Sequence, residues 1–336
     1  MLPKPLSQLS ADQRALLRPA RANAGFAPMK AVLTDRGFSD PEWIFEPKLD
    51  GVRVIAYRDG GRVRLMSRTG KEQNPSYPEL VEALGRQDPG DFVVDGEIVA
   101  FDRGLPSFER LQGRMQIKDP ERARRTGIAV HLYLFDLLGL DGQDTRNLPL
   151  RTRKEILRQT LSFDEPLHFT SHRNERGEEF FREACRRGWE GLIAKRADSP
   201  YVGKRSRDWL KLKCSHQQEL VIGGFTAPQG SRTEFGALLV GYYEGGGLRY
   251  AGKVGTGFNQ RTLKELGRRL RGLERDSPPF VDVHPIPKGT RWVEPELVAQ
   301  IAFGEWTRDG RLRHPRYLGL RDDKPATEVV REEPAG

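Results

Sequence analysis

The residues with the clearest chemical potential form a short stretch, Lys48-Leu49-Asp50-Gly51, within residues 45–53. The Asp-Gly pair favours a tight turn, because Gly tolerates positive φ and Asp hydrogen-bonds its own backbone. A lysine at the start of such a turn suits nucleophilic attack on a phosphorus atom, after which the amine carries a nucleotide. Four residues could equally form an ordinary hairpin turn with a solvated lysine, so the interpretation depends on the residues downstream.

A covalent nucleotidyl-lysine has further requirements. The amine must be neutral to attack, although a free lysine has a pKa of about 10.4, and nearby cations and desolvation are the usual means of lowering that value. A divalent cation must shield the triphosphate, acidic residues must hold the cation, and further basic groups must meet the phosphates. An aromatic face should stack on the base.

The chain offers side chains of these types in order after Lys48. Each has an alternative structural role, as a hairpin turn, a core aromatic residue or a basic surface. A strand places residues two apart on one face, so Lys211 and Lys213 share a face that needs an anion or water. The candidates are Arg68 in Ser67-Arg68-Thr69-Gly70, Glu97 in Asp95-Gly96-Glu97, Phe135 before Asp136, Glu190 and Lys195 around a short apolar run, and Lys211 and Lys213.

The elements that must position these residues alternate between strands and helices. An Asp-Gly turn between two apolar runs predicts a hairpin over 52–66. Asp95-Gly96-Glu97 is interpreted as a turn between two strands within 92–100, and Ser107 as the cap of a helix over 107–116. We also predict a helical lead-in over 1–25, helices over 77–84, 150–161 and 177–187, and strands over 130–138, 191–195 and 209–213.

The pattern changes near residues 215–219, which we interpret as a linker. Beyond it, Gly-rich turns separate predicted strands over 220–225, 237–244, 248–254, 298–306 and 312–320, with a basic helix over 260–273. Five strands with one intervening helix are typical of a small oligonucleotide-binding barrel. The sequence therefore predicts an α+β chain with two domains, 1–216 and 217–336.

Composition limits the environment and the partner. The 336 residues carry a formal charge of +9, which favours a polyanionic partner, most commonly nucleic acid. Two cysteines without a CxxC pair exclude a disulfide framework and a four-cysteine zinc site, so we expect reduced cysteines in the cytoplasm. No signal peptide or membrane span is expected, because the longest apolar run, 130–140, is short and contains Asp136. No long apolar heptad is present, which favours a monomer.

The ordered motifs resemble those of the covalent nucleotidyltransferase superfamily of ATP-dependent DNA ligases, RNA ligases and messenger-RNA capping enzymes. Within it, residues 201–213 and 314–325 are most similar to bacterial ATP-dependent DNA ligases of the nonhomologous end-joining type, with Lys204 where arginine is usual. The matching positions are Lys48-Leu49-Asp50-Gly51 with Arg53, Ser67-Arg68-Thr69-Gly70, Asp95-Gly96-Glu97, Phe135-Asp136, Glu190-Gly191 with Lys195, Lys211-Leu212-Lys213, and Leu320-Arg321-Asp322-Asp323-Lys324-Pro325.

The resemblance implies a nucleotidyltransferase domain of ATP-grasp-like antiparallel sheets with helices, followed by an OB-fold β-barrel. It implies ATP and Mg²⁺ or Mn²⁺ as cofactors, and a Lys48–AMP intermediate that seals 5′-phosphate/3′-hydroxyl nicks. The implied partner is double-stranded DNA with nicks or ends, in the bacterial cytoplasm at the nucleoid, and an end-binding protein or repair polymerase is compatible with it. The implied roles are adenine recognition for Glu46 and Phe135; ribose or phosphate contact for Arg53, Arg68, Lys195, Lys211 and Lys213; metal binding for Glu97 and Glu190, with ribose binding as the alternative for Glu97; and action from the barrel domain for Arg321, Asp323 and Lys324.

Two other functions fit parts of the sequence. An RNA ligase or a capping guanylyltransferase shares the lysine chemistry, so the first five motifs do not separate them, whereas residues 314–325 favour a DNA ligase. A non-catalytic nucleic-acid-binding protein fits the charge and the β-rich C-terminal half, but it does not require the ordered lysine and acidic motifs.

Overall fold

The chain forms two compact units of mixed helix and strand. The computed structural model describes residues 4–20, 25–88, 90–228, 233–283 and 285–333. The first unit continues to Cys214 and the second comprises Ser215–Glu333. The boundary predicted from the sequence, between residues 216 and 217, lies two residues further along.

The elements are numbered here in chain order. The strands are β1 (Arg18–Pro19), β2 (Lys30–Thr34), β3 (Trp43–Pro47), β4 (Val52–Asp59), β5 (Arg62–Ser67), β6 (Phe92–Val99), β7 (Phe101–Asp102), β8 (Leu105–Pro106), β9 (His131–Leu140), β10 (Gln143–Asp144), β11 (Leu167–Phe169), β12 (Arg173–Asn174), β13 (Gly191–Arg196), β14 (Arg205–Lys213), β15 (Gln217–Thr226), β16 (Leu238–Glu244), β17 (Gly247–Val254), β18 (Glu274–Arg275), β19 (Thr290–Val293), β20 (Val298–Ala302) and β21 (Arg316–Leu320). The helices are α1 (Ala11–Leu16), α2 (Pro78–Gly85), α3 (Phe108–Met115), α4 (Pro120–Arg125), α5 (Leu150–Thr160), α6 (Gly177–Arg186) and α7 (Gln260–Arg271).

Two large sheets build most of the first unit, which also contains the two-stranded sheet β7-β8. Sheet A has the order β1-β10-β9-β6-β4-β5, with β11 paired to β9, and sheet B has the order β12-β3-β13-β14-β2. Pairing is antiparallel except for β11 with β9 and β14 with β2. Helices α2 and α5 pack against sheet A, and α6 packs against β13 and β3 of sheet B.

The alternation of side chains along each strand determines what the two sheets present to each other. In β4, Val52 and Val54 enter the large core that lies on the helix side of sheet A, whereas Ile55 enters a second cluster. Trp209 of sheet B belongs to that second cluster, so the two sheets face each other across it. Polar residues on the facing sides are therefore directed into the space between the sheets.

Two predicted turns differ in the structure. Asp95-Gly96-Glu97 lies inside the continuous strand β6, because all three residues pair with residues 53–55 of β4. Gly96 is packed closely there, and a Cβ atom would meet the carbonyl oxygen of Tyr133 at 2.8 Å. Residues 48–51 do not close a hairpin either, because they connect β3 of sheet B to β4 of sheet A. The prediction of a turn was therefore wrong at 95–97, and at 48–51 the chain crosses between sheets.

The remaining elements follow the predictions more closely. The hairpin of β4 and β5 is confirmed, and Ser107 caps α3 by accepting a hydrogen bond from the backbone of Arg110 at 3.2 Å. The lead-in is helical at α1 and in a short 3₁₀ turn, Leu6–Gln8. Part of that lead-in, residues 1–3 and 21–24, lies outside the described residues. Helix α4 and several strands, among them β2, β11 and β19, were not predicted.

The second unit is a β-sheet structure in which one central strand pairs with three others, and it contains one long helix. Strand β15 pairs with β16, β19 and β20, and β16 and β20 extend the sheet to β17 and β21. Helix α7 contributes Leu263, Leu266 and Leu270 to the core of this unit. The strands predicted over 298–306 and 312–320 are shorter, ending at Ala302 and beginning at Arg316.

Cys185 and Cys214 form a disulfide bond. Packing of α6 against sheet B places their Cα atoms 5.1 Å apart, within the range that a disulfide bridges. The expectation of reduced cysteines is wrong for this structure. Among the described residues, no helix has both the length and the apolar character needed to cross a bilayer.

Candidate active site

Lys48 lies at the crossover between the two sheets. Its backbone N–H donates to the carbonyl oxygen of Gly191 at 2.9 Å, which fixes the crossover to the start of β13. Its amine forms a close ion pair with Oε1 of Glu190, and 20% of the Lys48 side chain remains exposed. The amine therefore lies among charged groups and is not directed into bulk solvent.

The electrostatics of Lys48 correct one expectation. Burial lowers the pKa of this amine, but Glu190, with smaller contributions from Asp50 and Glu97, outweighs burial, and the net pKa is raised. We expected neighbouring cations to keep the nucleophile neutral, whereas the structure surrounds it with carboxylates. The raised pKa favours the ammonium form of Lys48, so this group must lose a proton before the amine can attack.

A buried charge network lies beside this lysine. Glu46 accepts from Lys154 at 2.5 Å and pairs with Lys195 at 2.6 Å, and all three side chains are almost fully buried. Burial raises the pKa of Glu46, but the two ammonium groups outweigh burial, so its pKa is lowered. Burial is the main reason that the pKa of Lys195 is lowered, with Lys154 adding to it and Glu46 opposing it. The network fixes the end of β3 that leads into Lys48.

Aromatic side chains cover the Lys195 amine from both sheets. The Nζ atom lies 4.2 Å from the ring centre of Phe135 and 4.1 Å from that of Trp209. The two rings meet edge to face at 6.1 Å. Phe135 is therefore at the surface between the sheets, as expected of a residue that could stack on a base, and Trp209 lies beside it.

Arg53 is directed into the same space but has strong partners within the protein. Its guanidinium donates two hydrogen bonds to Asp95, at 2.9 and 2.6 Å, and one to the carbonyl of Met29 at 2.6 Å. The hydroxyl of Tyr201 donates to the same carboxylate at 2.6 Å. Asp95 thus holds Arg53 in position, and contact of Arg53 with ribose or phosphate stays a prediction.

The carboxylates near Lys48 fit a hard divalent cation. Oε2 of Glu190 is buried, and no hydrogen-bond partner for it occurs among the described residues. An orphaned carboxylate oxygen is an oxygen ligand of the type that Mg²⁺ uses. Glu97 is directly opposite Arg53 in the sheet and acts on Lys48 electrostatically, so it is near the same amine.

The remaining basic candidates of this unit lie at the margins of the same space. Strand β14 places Lys211 opposite Ile193 and Lys213 opposite Gly191, on the same face as Trp209. Arg68 lies in the turn that follows β5, where the backbone N–H of Gly70 donates to Ser67. Sheet pairing therefore brings the two lysines close to Glu190 and Lys195, while Arg68 comes from the end of a hairpin on sheet A.

The candidates of the second unit form their own network. Arg321 makes a bidentate ion pair with Asp323, with both distances 2.9 Å. Lys324 makes a close ion pair with Glu219 of β15, and the Lys324 side chain is 11% exposed. Arg321, Asp323 and Lys324 are thus assembled within the second unit.

Comparisons with known proteins identify this arrangement. A family model described as "ATP dependent DNA ligase domain" matches residues 28–213, and a model described as "ATP dependent DNA ligase C terminal region" matches residues 231–324. The chain belongs to the ATP-dependent DNA ligase family. The fold is accordingly that of a nucleotidyltransferase domain followed by an OB-fold domain, as predicted.

Individual relatives support this family assignment. The multifunctional non-homologous end joining protein LigD of Pseudomonas aeruginosa is 40% identical over 304 residues, covering 88% of this chain and 35% of the relative. LigD of Mycobacterium bovis is 42% identical over 316 residues, covering 91% and 40%. The structure of mycobacterial DNA ligase D complexed with ATP and MES has a TM-score of 0.65 at 38% identity, covering 91% of this chain and 98% of that one. The ligase spans two fifths or less of the length of these two LigD relatives.

Three residues of this ligase site were not identified as candidates from the sequence. Lys154 could have been identified, because it lies on the core-facing side of α5 and a lysine in that position needs a buried partner. Asp95 could have been identified in the same way, since a carboxylate within an apolar strand also needs a buried partner. Trp209 gives only a weak signal, because a tryptophan in a strand most often belongs to the core.

Proposed function

We propose that Lys48 is the residue of this ATP-dependent DNA ligase that carries AMP. The observation that supports it is the position of the amine, at the crossover between two sheets, paired with Glu190 and surrounded by Asp50 and Glu97. The amine attacks the α-phosphorus of ATP, forming an N–P bond as pyrophosphate leaves. AMP is then transferred to the 5′-phosphate of a nick, and the adjacent 3′-hydroxyl displaces AMP to seal the strand.

The surrounding residues prepare this chemistry. Glu46 and the Phe135 ring recognise and stack on adenine, while Lys195, Lys211 and Lys213 meet the phosphates, with Arg53 and Arg68 at the ribose or phosphates. Pre-positioned cations stabilise charge that develops on phosphate oxygens in the transition state. Glu97 and Glu190 would hold Mg²⁺ or Mn²⁺, which supplies charge neutralisation of the triphosphate.

Further proposals concern the biological setting. The similarity to LigD proteins supports a role in end joining or another DNA repair process, on double-stranded DNA with nicks or ends. An end-binding protein or a repair polymerase is the kind of partner that this role would need. A monomeric state, a cytoplasmic nucleoid location and the domain limits of 1–216 and 217–336 stay predictions.

The decisive experiment compares Lys48→Ala with wild type in a self-adenylylation assay using α-labelled ATP. We expect no label on the variant in a denaturing gel, but nick affinity within about twofold of wild type, because affinity for DNA comes from many phosphate contacts. Lys118→Ala removes an exposed lysine from the same unit and should label normally. Label on the Lys48→Ala protein would disprove the assignment.

An RNA ligase or a capping guanylyltransferase would share the first step. Repeating the assay with GTP, and sealing nicks in DNA and RNA duplexes, separates these activities. We expect label from ATP and sealing of DNA. Preferential label from GTP would favour a guanylyltransferase, and no adduct with ATP, GTP or NAD would favour a non-catalytic nucleic-acid-binding protein.

A further inference from the structure

A second cluster of ligating side chains lies on the same face of sheet A as the active site. His131, Tyr133 and Phe135 alternate along β9 and share the face that is directed toward sheet B. His168 of β11 is directly opposite Tyr133, and Glu165 is in the segment just before β11. The two histidines are partly buried, with exposed side-chain fractions of 22% and 24%.

Three ligand atoms of this cluster lie within 3.4 Å of one another. The Nδ1 atom of His131 is 2.9 Å from Oε2 of Glu165 and 3.1 Å from Nε2 of His168. The third side of the triangle, from Nε2 of His168 to Oε2 of Glu165, is 3.4 Å. A tetrahedral Zn²⁺ with bonds of about 2.0–2.1 Å separates its ligand atoms by about 3.3 Å, close to all three distances.

Hydrogen bonding alone does not satisfy these contacts. Each ring nitrogen presents either one proton or one lone pair, and an ionised carboxylate presents only lone pairs. If His131 donates to both neighbours, the lone pairs of His168 and Glu165 face each other. If both histidines donate to Glu165, two N–H groups face each other at 3.1 Å. Every arrangement therefore leaves one repulsive contact. A cation at the centre, in contrast, attracts all three ligand atoms.

The surroundings hold the two rings in place. Tyr133 stacks on His168, with ring centres 4.6 Å apart and an angle of 17° between the planes. Phe101 contacts His131 edge to face at 5.4 Å. Fixed ring orientation is what a metal site requires of its imidazole ligands, because a misdirected lone pair does not coordinate.

We propose that His131, His168 and Glu165 form a Zn²⁺ site with a water molecule as the fourth ligand, separate from the site for the catalytic cation. Two imidazoles and one carboxylate favour Zn²⁺ over Mg²⁺, which prefers oxygen ligands in an octahedral arrangement. The bound ion links β9 to the segment that leads into β11, so it stabilises the edge of sheet A next to Tyr133 and Phe135.

The test measures Zn²⁺ affinity of the full chain by competition with a chromogenic chelator, in millimolar Mg²⁺ so that hard oxygen sites are filled. Thiol reductants are omitted, because they bind Zn²⁺ and would release Cys185 and Cys214 as alternative ligands. We expect one tight Zn²⁺ per wild-type chain. His131→Gln and His168→Gln should each lose more than about tenfold in affinity, since even the loss of an outer partner costs that much.

Two further variants keep the test decisive. Glu165→Gln changes a side chain that is 70% exposed, so it should fold normally and still weaken binding. His314→Asn is the control, because it removes a histidine of the second unit and Asn tolerates the positive φ of 49° at that position. Zn²⁺ should raise the thermal transition of wild type and control only. Affinity unchanged in both histidine variants, or reduced equally in the control, would overturn the proposal.

Discussion

At the scale of single residues, ion pairs hold the side chains of the site in place, but they also favour the charged form of the lysine, which cannot act as a nucleophile. Glu190 holds Lys48 as an ammonium ion, and an ammonium ion has no lone pair with which to attack phosphorus. The same pair holds the proposed nucleophile in position, and as an ammonium ion it does not react with electrophiles. Activation therefore requires the ammonium ion to lose a proton to a base, and separation from Glu190 favours that loss because the carboxylate raises the pKa of Lys48.

Glu190→Gln should lower the pKa of Lys48. Burial is the largest single influence on this pKa and disfavours the charged amine, and Glu190 is the carboxylate that opposes it most, so its removal lowers the pKa. Competitive labelling with acetic anhydride across a pH series, read by mass spectrometry at Lys48, measures this directly. The reactivity profile of the variant should move to lower pH, whereas Glu42→Gln, at an exposed ion pair with Arg196, should leave it in place. An unmoved profile in Glu190→Gln would show that Glu190 does not control the amine.

Glu46→Gln should destabilise the first unit by about 3–5 kcal/mol, because it leaves the buried Lys154 and Lys195 without their common anion. The pKa of Glu46 is lowered in the folded protein, so its contribution is complete above the ordinary glutamate pKa of 4.5 and is lost as pH falls through the folded value. Urea unfolding at pH 7 and at acidic pH should therefore show a difference that shrinks on acidification. A constant difference, or an equal loss in Glu42→Gln, would contradict this account.

At the scale of elements, most of the site residues that could be predicted were found from the alternation of side chains along strands. Lys195, Lys211 and Lys213 were placed on strands, and period-two alternation alone directs them into one space once the sheets face each other. Glu97 was placed on a turn, and only the structure shows that it belongs to the continuous strand β6. What could not be predicted was pairing between distant elements. The partnership of Lys154 on α5 with Glu46 on β3 depends on tertiary packing, and local sequence gives no partner for either residue.

The crossover at residues 48–51 shows the same limit. An Asp-Gly pair correctly indicated a special backbone position, but the reason for Gly51 is close packing rather than positive φ. A Cβ atom at Gly51 would lie 2.2 Å from the carbonyl oxygen of Ile98 and 3.0 Å from Cγ of Glu97. This contact presses the crossover against β6, so it couples the position of Lys48 to the carboxylate of Glu97.

Gly51→Ala should therefore displace the crossover and impair self-adenylylation, with a loss of stability of about 1–3 kcal/mol from overpacking. Gly90→Ala is the matched control, because a Cβ there meets nothing within 4 Å. Labelling with α-labelled ATP and thermal unfolding measure the two effects. Normal labelling of Gly51→Ala would mean that the crossover can shift without disturbing Lys48.

At the scale of the whole molecule, the chain divides its chemistry between two units. The first unit contains Lys48, which we propose as the nucleophile, together with the nearby carboxylates and aromatic rings, whereas Arg321, Asp323 and Lys324 belong to the second. Charge is also a property of the whole chain, since 56 lysine and arginine residues exceed 47 acidic residues without a basic tail. Binding of DNA should accordingly weaken with added salt across many contacts.

Lys324→Ala tests whether the second unit takes part in the first chemical step. Lys324 is remote in sequence from Lys48 and is held by Glu219, so the amine is pre-positioned on its own unit and could orient the departing pyrophosphate. Single-turnover assays should show self-adenylylation slowed by about 100-fold, the cost of losing one group that stabilises transition-state charge, with a smaller effect on sealing by pre-adenylylated enzyme. Lys264→Ala, an exposed lysine on α7, should change neither rate. Pyrophosphate leaves only in the first step, so equal losses in both steps would place Lys324 in DNA binding or in the stability of the second unit instead.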